Sequence, residues 1–274
     1  MNVPRSKESA MTSPTASQRL LSLDVFRGAT IAAMILVNNP GSWSNSYPQL
    51  RHAAWHGWTM TDMIFPFFLW IMGVAMTFSF AKRREGGAST SSLLMHALRR
   101  SAIIFALGLV VNGFPFGAGT SFSWATLRIP GVLQRIAICY FVAAAIYLHT
   151  RVKVQVIWSA VLLAVYWAAM KLIPVPGYGA GVLDPVGNLG WYLDSNLLEG
   201  HTWVWAPAAG FDPEGIISTI PAIATTLLGV LTGYWLEGRR SDRNKFTSTV
   251  RMMNGRHIIT ALISQPSCPA NSIL

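Results

Sequence analysis

The chain has 274 residues, 52% of them hydrophobic and 12% charged, where a soluble domain carries about a quarter charged residues. This excludes an ordinary soluble enzyme. Apolar runs of the roughly 20 residues needed to cross a bilayer recur along the sequence, and a β-barrel would show short alternating strands in their place.

The first 19 residues are polar and rich in Ser and Thr. They read as a cytoplasmic tail without a cleavable signal peptide, so the first helix serves as the insertion signal. Apolar segments follow at 20–42, 58–81, 92–116, 129–149, 154–174 and 214–236. They predict an all-α, polytopic transmembrane bundle of about six helices. The net charge is +10, and Lys82-Arg83-Arg84, Arg99-Arg100, Arg151, Lys153, Arg239-Arg240 and Arg243 to Lys245 all fall on one side of that topology. The other side holds only Arg51, Arg128 and Lys171. Such asymmetry orients helices, places the N-terminus in the cytoplasm and makes a nucleic-acid partner improbable. A bacterial inner membrane is the simplest location. The exported connections are then 43–57, 117–128 and 175–213, the last rich in Gly, Pro and Trp, and loops of that length are usually functional. Residues 20–238 read as the transmembrane domain, and 239–274 as a basic cytoplasmic segment with an atypical tail too short and proline-broken to cross again. Cys139 and Cys268 make no disulfide framework.

Polar residues inside the apolar segments are the candidates for chemistry, because ionisable groups at membrane depth either pair or serve a site. In the first segment, Asp24, Arg27 and Asn38 fall within about one third of the helix circumference. Asp24 and Arg27 either pair with each other or take part in a site. In "RHAAWHGWTMTD" (residues 51–62), His52 and His56 are both candidate general bases, and spacing does not choose between them. Trp55 beside them offers a ring suited to a sugar face. Thr59 and Asp62 have the spacing of a capping box, so Asp62 is a cap, a catalytic acid, or both. In "RIPGVLQRIAICY" (128–140), Arg128, Gly131 and Arg135 are spaced i, i+3, i+7, which predicts two guanidiniums on one helix face. Arg135 then pairs with Asp62 or Asp24, or grips a carboxylate or phosphate. "FDPEG" (211–215) predicts the start of the sixth helix, with Asp212 as N-cap, Pro213 at the first helical position and Glu214 in the first turn. No metal cluster, nucleotide loop or Ser-His-Asp arrangement is recognisable.

"SLDVFRG", "LVNN", "HAAWHGWTMTDMIFPFFLWIMG", "RIPGVLQRIA" and "FDPEG", in this order between Ser22 and Gly238, resemble the heparan-α-glucosaminide N-acetyltransferase family of membrane acetyltransferases. The resemblance implies transfer of acetyl from cytosolic acetyl-CoA to the amine of a glucosamine-type acceptor across the bilayer. It implies no metal and is compatible with a homodimer. It points to His52 rather than His56 as the base and to Asn38 as the family asparagine. Asp24, Arg27 and the stretch Arg128 to Arg135, Gln134 included, match family positions, with Trp55, Asp62, Asp212 and Glu214 as supporting residues. An acetyl-histidine route is equally open to these residue types. Family members carry further helices beyond the sixth, so the resemblance implies a C-terminally truncated, poorly active chain. The rival reading is a transporter or flippase that moves an anionic solute or glycan precursor on Asp24, Arg27 and Arg135.

Overall fold

The computed structural model describes residues 21–42, 45–114 and 123–253, with side chains as far as Gly238. The polar N-terminal tail, Cys268 and the atypical C-terminal tail lie outside the described residues. Among those described, the architecture is all-helical: α1 (Leu21–Asn38), α2 (Met60–Glu85), α3 (Thr90–Gly113), α4 (Val132–His149), α5 (Val152–Leu172), α6 (Leu189–Leu197) and α7 (Thr219–Met253). All but α6 contain a stretch long and apolar enough to cross a membrane, as the sequence predicts. The chain divides into two compact units, Met1–Ala53 with Gly57–Phe68, and Ala54–His56 with Leu69–Leu274.

In the first unit, α1 stops at Asn38, short of the predicted 42. Pro40 disfavours helical geometry in the residue before it, and the Asn39 amide donates to the Ile35 carbonyl at 2.9 Å. Phe26 of α1 meets Phe67 of α2 edge to face, with ring centroids 5.3 Å apart. The Thr61 hydroxyl donates to the Gln49 carbonyl at 3.1 Å and fastens the loop to the mouth of α2.

In the second unit, α2 ends at Gly86-Gly87, with Gly87 at φ 83°, a conformation that costs glycine little. Ser89 then caps α3 by accepting from the Ser92 N–H at 3.2 Å. α3 packs on α4, and both α4 and α5 pack on α7. Ile103, Leu107 and Val110 of α3 and Ile157, Val161 and Val165 of α5 are exposed, which suits helices that meet lipid. α2 and α7 approach through glycine: a Cβ on Gly73 would strike the Thr226 carbonyl, and one on Gly229 the Trp70 carbonyl. Small residues permit such backbone contact in membranes. Near the basic end of α2, Phe80, Tyr147 and Tyr234 form a ladder of rings at 5.7 and 5.4 Å.

Two features differ from the sequence reading. A nine-residue helix, α6, stands inside the predicted 175–213 loop. It is too short for its apolar spacing to register, though Asn188 caps it by accepting from Trp191 N–H at 2.9 Å. And α7 runs on to Met253. Residues 239–253 contain no Gly or Pro, so the charges there end the apolar span without ending the helix.

Candidate functional site

Two constellations hold the polar residues, one in each unit. In the first unit, Asp62 sits in the opening turn of α2 and serves two purposes. One carboxylate oxygen accepts from the backbone N–H groups of Thr59 (2.8 Å) and Ala53 (3.2 Å), the acid's half of a capping box. The Thr59 hydroxyl turns to the Arg51 carbonyl at 2.6 Å and to Asp62 at 3.1 Å. The other Asp62 oxygen lies 2.6 Å from Nδ1 of His52. An ionised carboxylate only accepts, so the imidazole proton sits on Nδ1 and Nε2 carries the lone pair. The His52 side chain is 65% exposed, which leaves Nε2 open to a reacting partner. An oriented base backed by a carboxylate is the general arrangement for proton abstraction.

Asn38 lies exposed at the C-terminal end of α1. Asp24 and Arg27, on the same helix, pair with each other at 3.6 Å with both side chains partly exposed, the simpler of the two roles open to them. His56 belongs to the second unit, where its Nε2 stands 4.0 Å from Asp184, both well exposed. Trp55 also belongs there. Its ring meets Phe211 edge to face at 5.1 Å, and its indole N–H donates to the Leu183 carbonyl at 2.7 Å. Both groups tie residues 54–56 to the long connection before α7.

The second constellation centres on Asp212, which is fully buried. Arg128 grips it with two prongs, Nε at 2.8 Å and Nη2 at 2.7 Å, and Nη2 also reaches Glu214 at 2.5 Å. The backbone N–H groups of Trp203 and Glu214 each add a bond of 2.9 Å. Two donors on each oxygen saturate the Asp212 carboxylate, so it organises the site and has no lone pair left for a substrate. Burial weakens the charge on Arg128, but the bonds and charges of Asp212 and Glu214 outweigh that and hold its guanidinium above the usual value. The Arg128 guanidinium also lies over the Trp203 ring, 5.6 Å from its centroid. Arg135, buried in α4, donates to the Pro213 carbonyl at 2.7 Å and to the Ser218 hydroxyl.

Both arginines therefore converge on residues 212–218, though not in the way their spacing predicts. α4 starts at Val132, with Gly131 as its cap, so Arg128 precedes the helix and shares no helix face with Arg135. Pro130 and the Asn112 amide explain this. That amide donates to the carbonyls of Arg128 (2.9 Å) and Pro130 (3.0 Å) and takes both as partners ahead of the helix. Nor does "FDPEG" open a helix, since α7 begins at Thr219. Asp194 of α6 is the reason. Its carboxylate accepts from Ile216 N–H at 3.0 Å and Asp212 N–H at 3.3 Å, taking a donor that a helix from Pro213 needs for the Asp212 carbonyl. Burial pushes the Asp194 carboxyl up to about 6, the backbone bonds from Ile216 and Asp212 resist, and the Asp212 charge adds to the rise. Gly215 has to be glycine here, because a Cβ would occupy the Asp194 carboxylate.

The sequence reading passed over Asp194, Trp203 and Ser218. Asp194 follows an apolar tripeptide in a stretch read as loop, and only its α6 setting exposes its role. Gln134 is buried against Gly108 and Gly131, where a Cβ would come within 2.5 and 2.7 Å of its side-chain oxygen. It packs α4 against α3.

With this geometry in place, the comparisons with known proteins are specific. The family described as "Heparan-alpha-glucosaminide N-acetyltransferase, catalytic" matches residues 19–268. The heparan-alpha-glucosaminide N-acetyltransferase of Mus musculus is 30% identical over 263 residues, covering 81% of this chain and 40% of the relative. The Homo sapiens protein of that name is 32% identical over 256 residues, covering 78% and 38%. The chain thus spans about two fifths of the length of the curated relatives it matches. It is an integral membrane protein, and it belongs to the heparan-alpha-glucosaminide N-acetyltransferase catalytic family.

Proposed function

We propose that this chain carries the acetyl-transfer site of a membrane N-acetyltransferase, with acetyl-CoA as donor and the amine of a glucosamine-type sugar as acceptor. The observation that carries the reading is the His52–Asp62 pair, with Nδ1 held at 2.6 Å and the ring open at the mouth of a membrane helix. In the proposed step the acceptor amine attacks the thioester carbonyl, a C–N bond forms and the C–S bond breaks. His52 Nε2 takes the amine proton and returns it to the departing thiolate, while Asp62 stabilises the imidazolium formed between. Asn38 supplies an amide N–H to the developing oxyanion. Asp212, Arg128 and Glu214 shape the connection before α7 and leave the chemistry to the histidine.

The charge asymmetry supports a cytoplasmic N-terminus and an exported His52, so donor and acceptor arrive from opposite sides. The transporter reading is less well supported, since Asp24 and Arg27 pair with each other and Arg135 is already engaged by Pro213 and Ser218. The deciding experiment incubates the purified chain with labelled acetyl-CoA and glucosamine and looks for labelled N-acetylglucosamine. Product formation that survives His52→Ala unchanged overturns the assignment of the base, and solute flux without acetyl transfer overturns the reaction.

A further inference from the structure

A group of cations at the junction of α2 and α3 plays no part in the site above. Lys82, Arg83 and Arg84 close α2, while His96, Arg99 and Arg100 lie on α3 at the spacing i, i+3, i+4 that shares one face. His96 lies in the fields of Arg83, Arg99 and Arg100, and Arg83 and Arg100 both act on the Tyr140 hydroxyl, so the two helices bring their charges together. The side chains of Arg83, Arg99 and Arg100 are exposed. Among the described residues no carboxylate stands within ion-pairing distance of Lys82, Arg83, Arg84, Arg99 or Arg100. Two of the guanidiniums are held on aromatic faces: Arg84 over Tyr147 at 5.7 Å, donating to the Leu148 carbonyl at 3.4 Å, and Arg100 over Tyr140 at 5.1 Å.

Orientation in the membrane does not require this arrangement. Charges at the end of α2 satisfy the positive-inside preference wherever they point. Arg99 and Arg100 are the tenth and eleventh residues of α3, about 15 Å along a helix that rises 1.5 Å per residue. Like charges drawn together with no carboxylate beside them repel one another, and an anion bound among them relieves that repulsion. Of the three exposed arginines Arg83, Arg99 and Arg100, the last is held on the Tyr140 ring, and a guanidinium fixed in this way is pre-organised for planar or tetrahedral oxyanions. We propose that Arg83, Arg99 and Arg100 form a binding site for a phosphate-bearing ligand. Two sources carry that chemistry: the phosphates of a soluble nucleotide, which as the acetyl donor's rests on the function proposed above, and the headgroup of an anionic lipid.

The test places the full chain in nanodiscs of neutral phosphatidylcholine and titrates coenzyme A and its form lacking the 3′-phosphate. A second arm uses discs doped with phosphatidylglycerol and counts retained lipid by native mass spectrometry. Arg99→Gln with Arg100→Gln is expected to weaken one of the two ligands tenfold or more, and Arg83→Gln to weaken the same one several-fold. Loss of coenzyme A binding assigns the soluble source, and loss of retained phosphatidylglycerol alone assigns the lipid. Arg83→Gln, at an exposed helix end, keeps the test decisive should the double variant misfold. Wild-type binding of both ligands by these variants overturns the proposal. Phosphate binding that depends on this corner in a chain without acetyl transfer leaves the inference standing and removes the proposed function.

Discussion

At the scale of single residues, the question is why two histidines four positions apart should differ in consequence. His52 has a carboxylate at hydrogen-bonding distance and an open Nε2, whereas His56 has only an exposed acid 4.0 Å away. His52→Ala is therefore expected to abolish acetyl transfer while donor binding survives, and His56→Ala to be mild. Equal loss from both, read as initial rates with binding measured separately, would remove the distinction. Asp62→Asn retains an acceptor for the capping bonds but no longer fixes the imidazole tautomer, so kcat should drop by about 10²–10⁴-fold with the thermal midpoint nearly unchanged. An equally large loss of stability would make Asp62 a cap alone. The residues of this pair were legible in the sequence as a motif. Their pairing was not, because spacing along a chain does not say which way a loop folds back over a helix start. Asp62 was readable as a cap from "TMTD", and the bond to His52 uses the oxygen that capping leaves over.

At the scale of elements, the six long helices were legible because an apolar run of that length has one stable solution in a bilayer. Their boundaries were less so wherever a distant group competes for backbone donors. The 212–218 turn is the clearest case: local rules make Asp-Pro-Glu a helix start, and Asp194 takes the Ile216 N–H from outside the segment. This contact has a pH signature. The Asp194 carboxyl stands at about 6 in the folded chain against an ordinary 3.8, so the folded state holds the proton more tightly than the unfolded state does. Its contribution to stability is full below about pH 4 and is lost as pH rises through about 6, a change of roughly 3 kcal/mol. Asp194→Asn removes the titration, so the wild-type thermal midpoint should fall relative to the variant's between pH 4 and 6. Parallel curves for the two proteins would show that Asp194 does not titrate in that window. The glycine seam between α2 and α7 gives a second expectation. Gly229→Ala pushes a methyl into the Trp70 carbonyl, and overpacking of this kind costs about 1–3 kcal/mol. Gly238→Ala, with nothing within 4 Å of its Cβ, is the control, and equal midpoints for the two in detergent would deny the seam its tightness.

At the scale of the whole molecule, the reaction proposed here depends on sidedness. A donor confined to one compartment and an acceptor confined to the other can meet only if the base faces one side and the donor reaches it from the other. Six membrane-crossing helices return the end of the last span to the side on which the first began. The basic residues at 82–84, 151 and 153 and in 239–245 then fall on one side, and His52, one crossing away from Lys82–Arg84 along α2, falls on the other. Lys and Arg resist translocation while Asp and Glu matter little, so it is this count rather than the net charge that predicts a cytoplasmic N-terminus. The expectation is concrete. In a chain with Cys139 and Cys268 changed to Ser, a cysteine replacing Asn45 should react with a membrane-impermeant maleimide applied from outside intact spheroplasts, and one replacing Ala88 only after permeabilisation. The two positions lie on opposite sides of α2 in the sequence, so each serves as the other's control for leakage. Reaction of position 88 from outside, with 45 protected, would invert the topology, place His52 in the compartment of the donor and remove the reason for a transmembrane route.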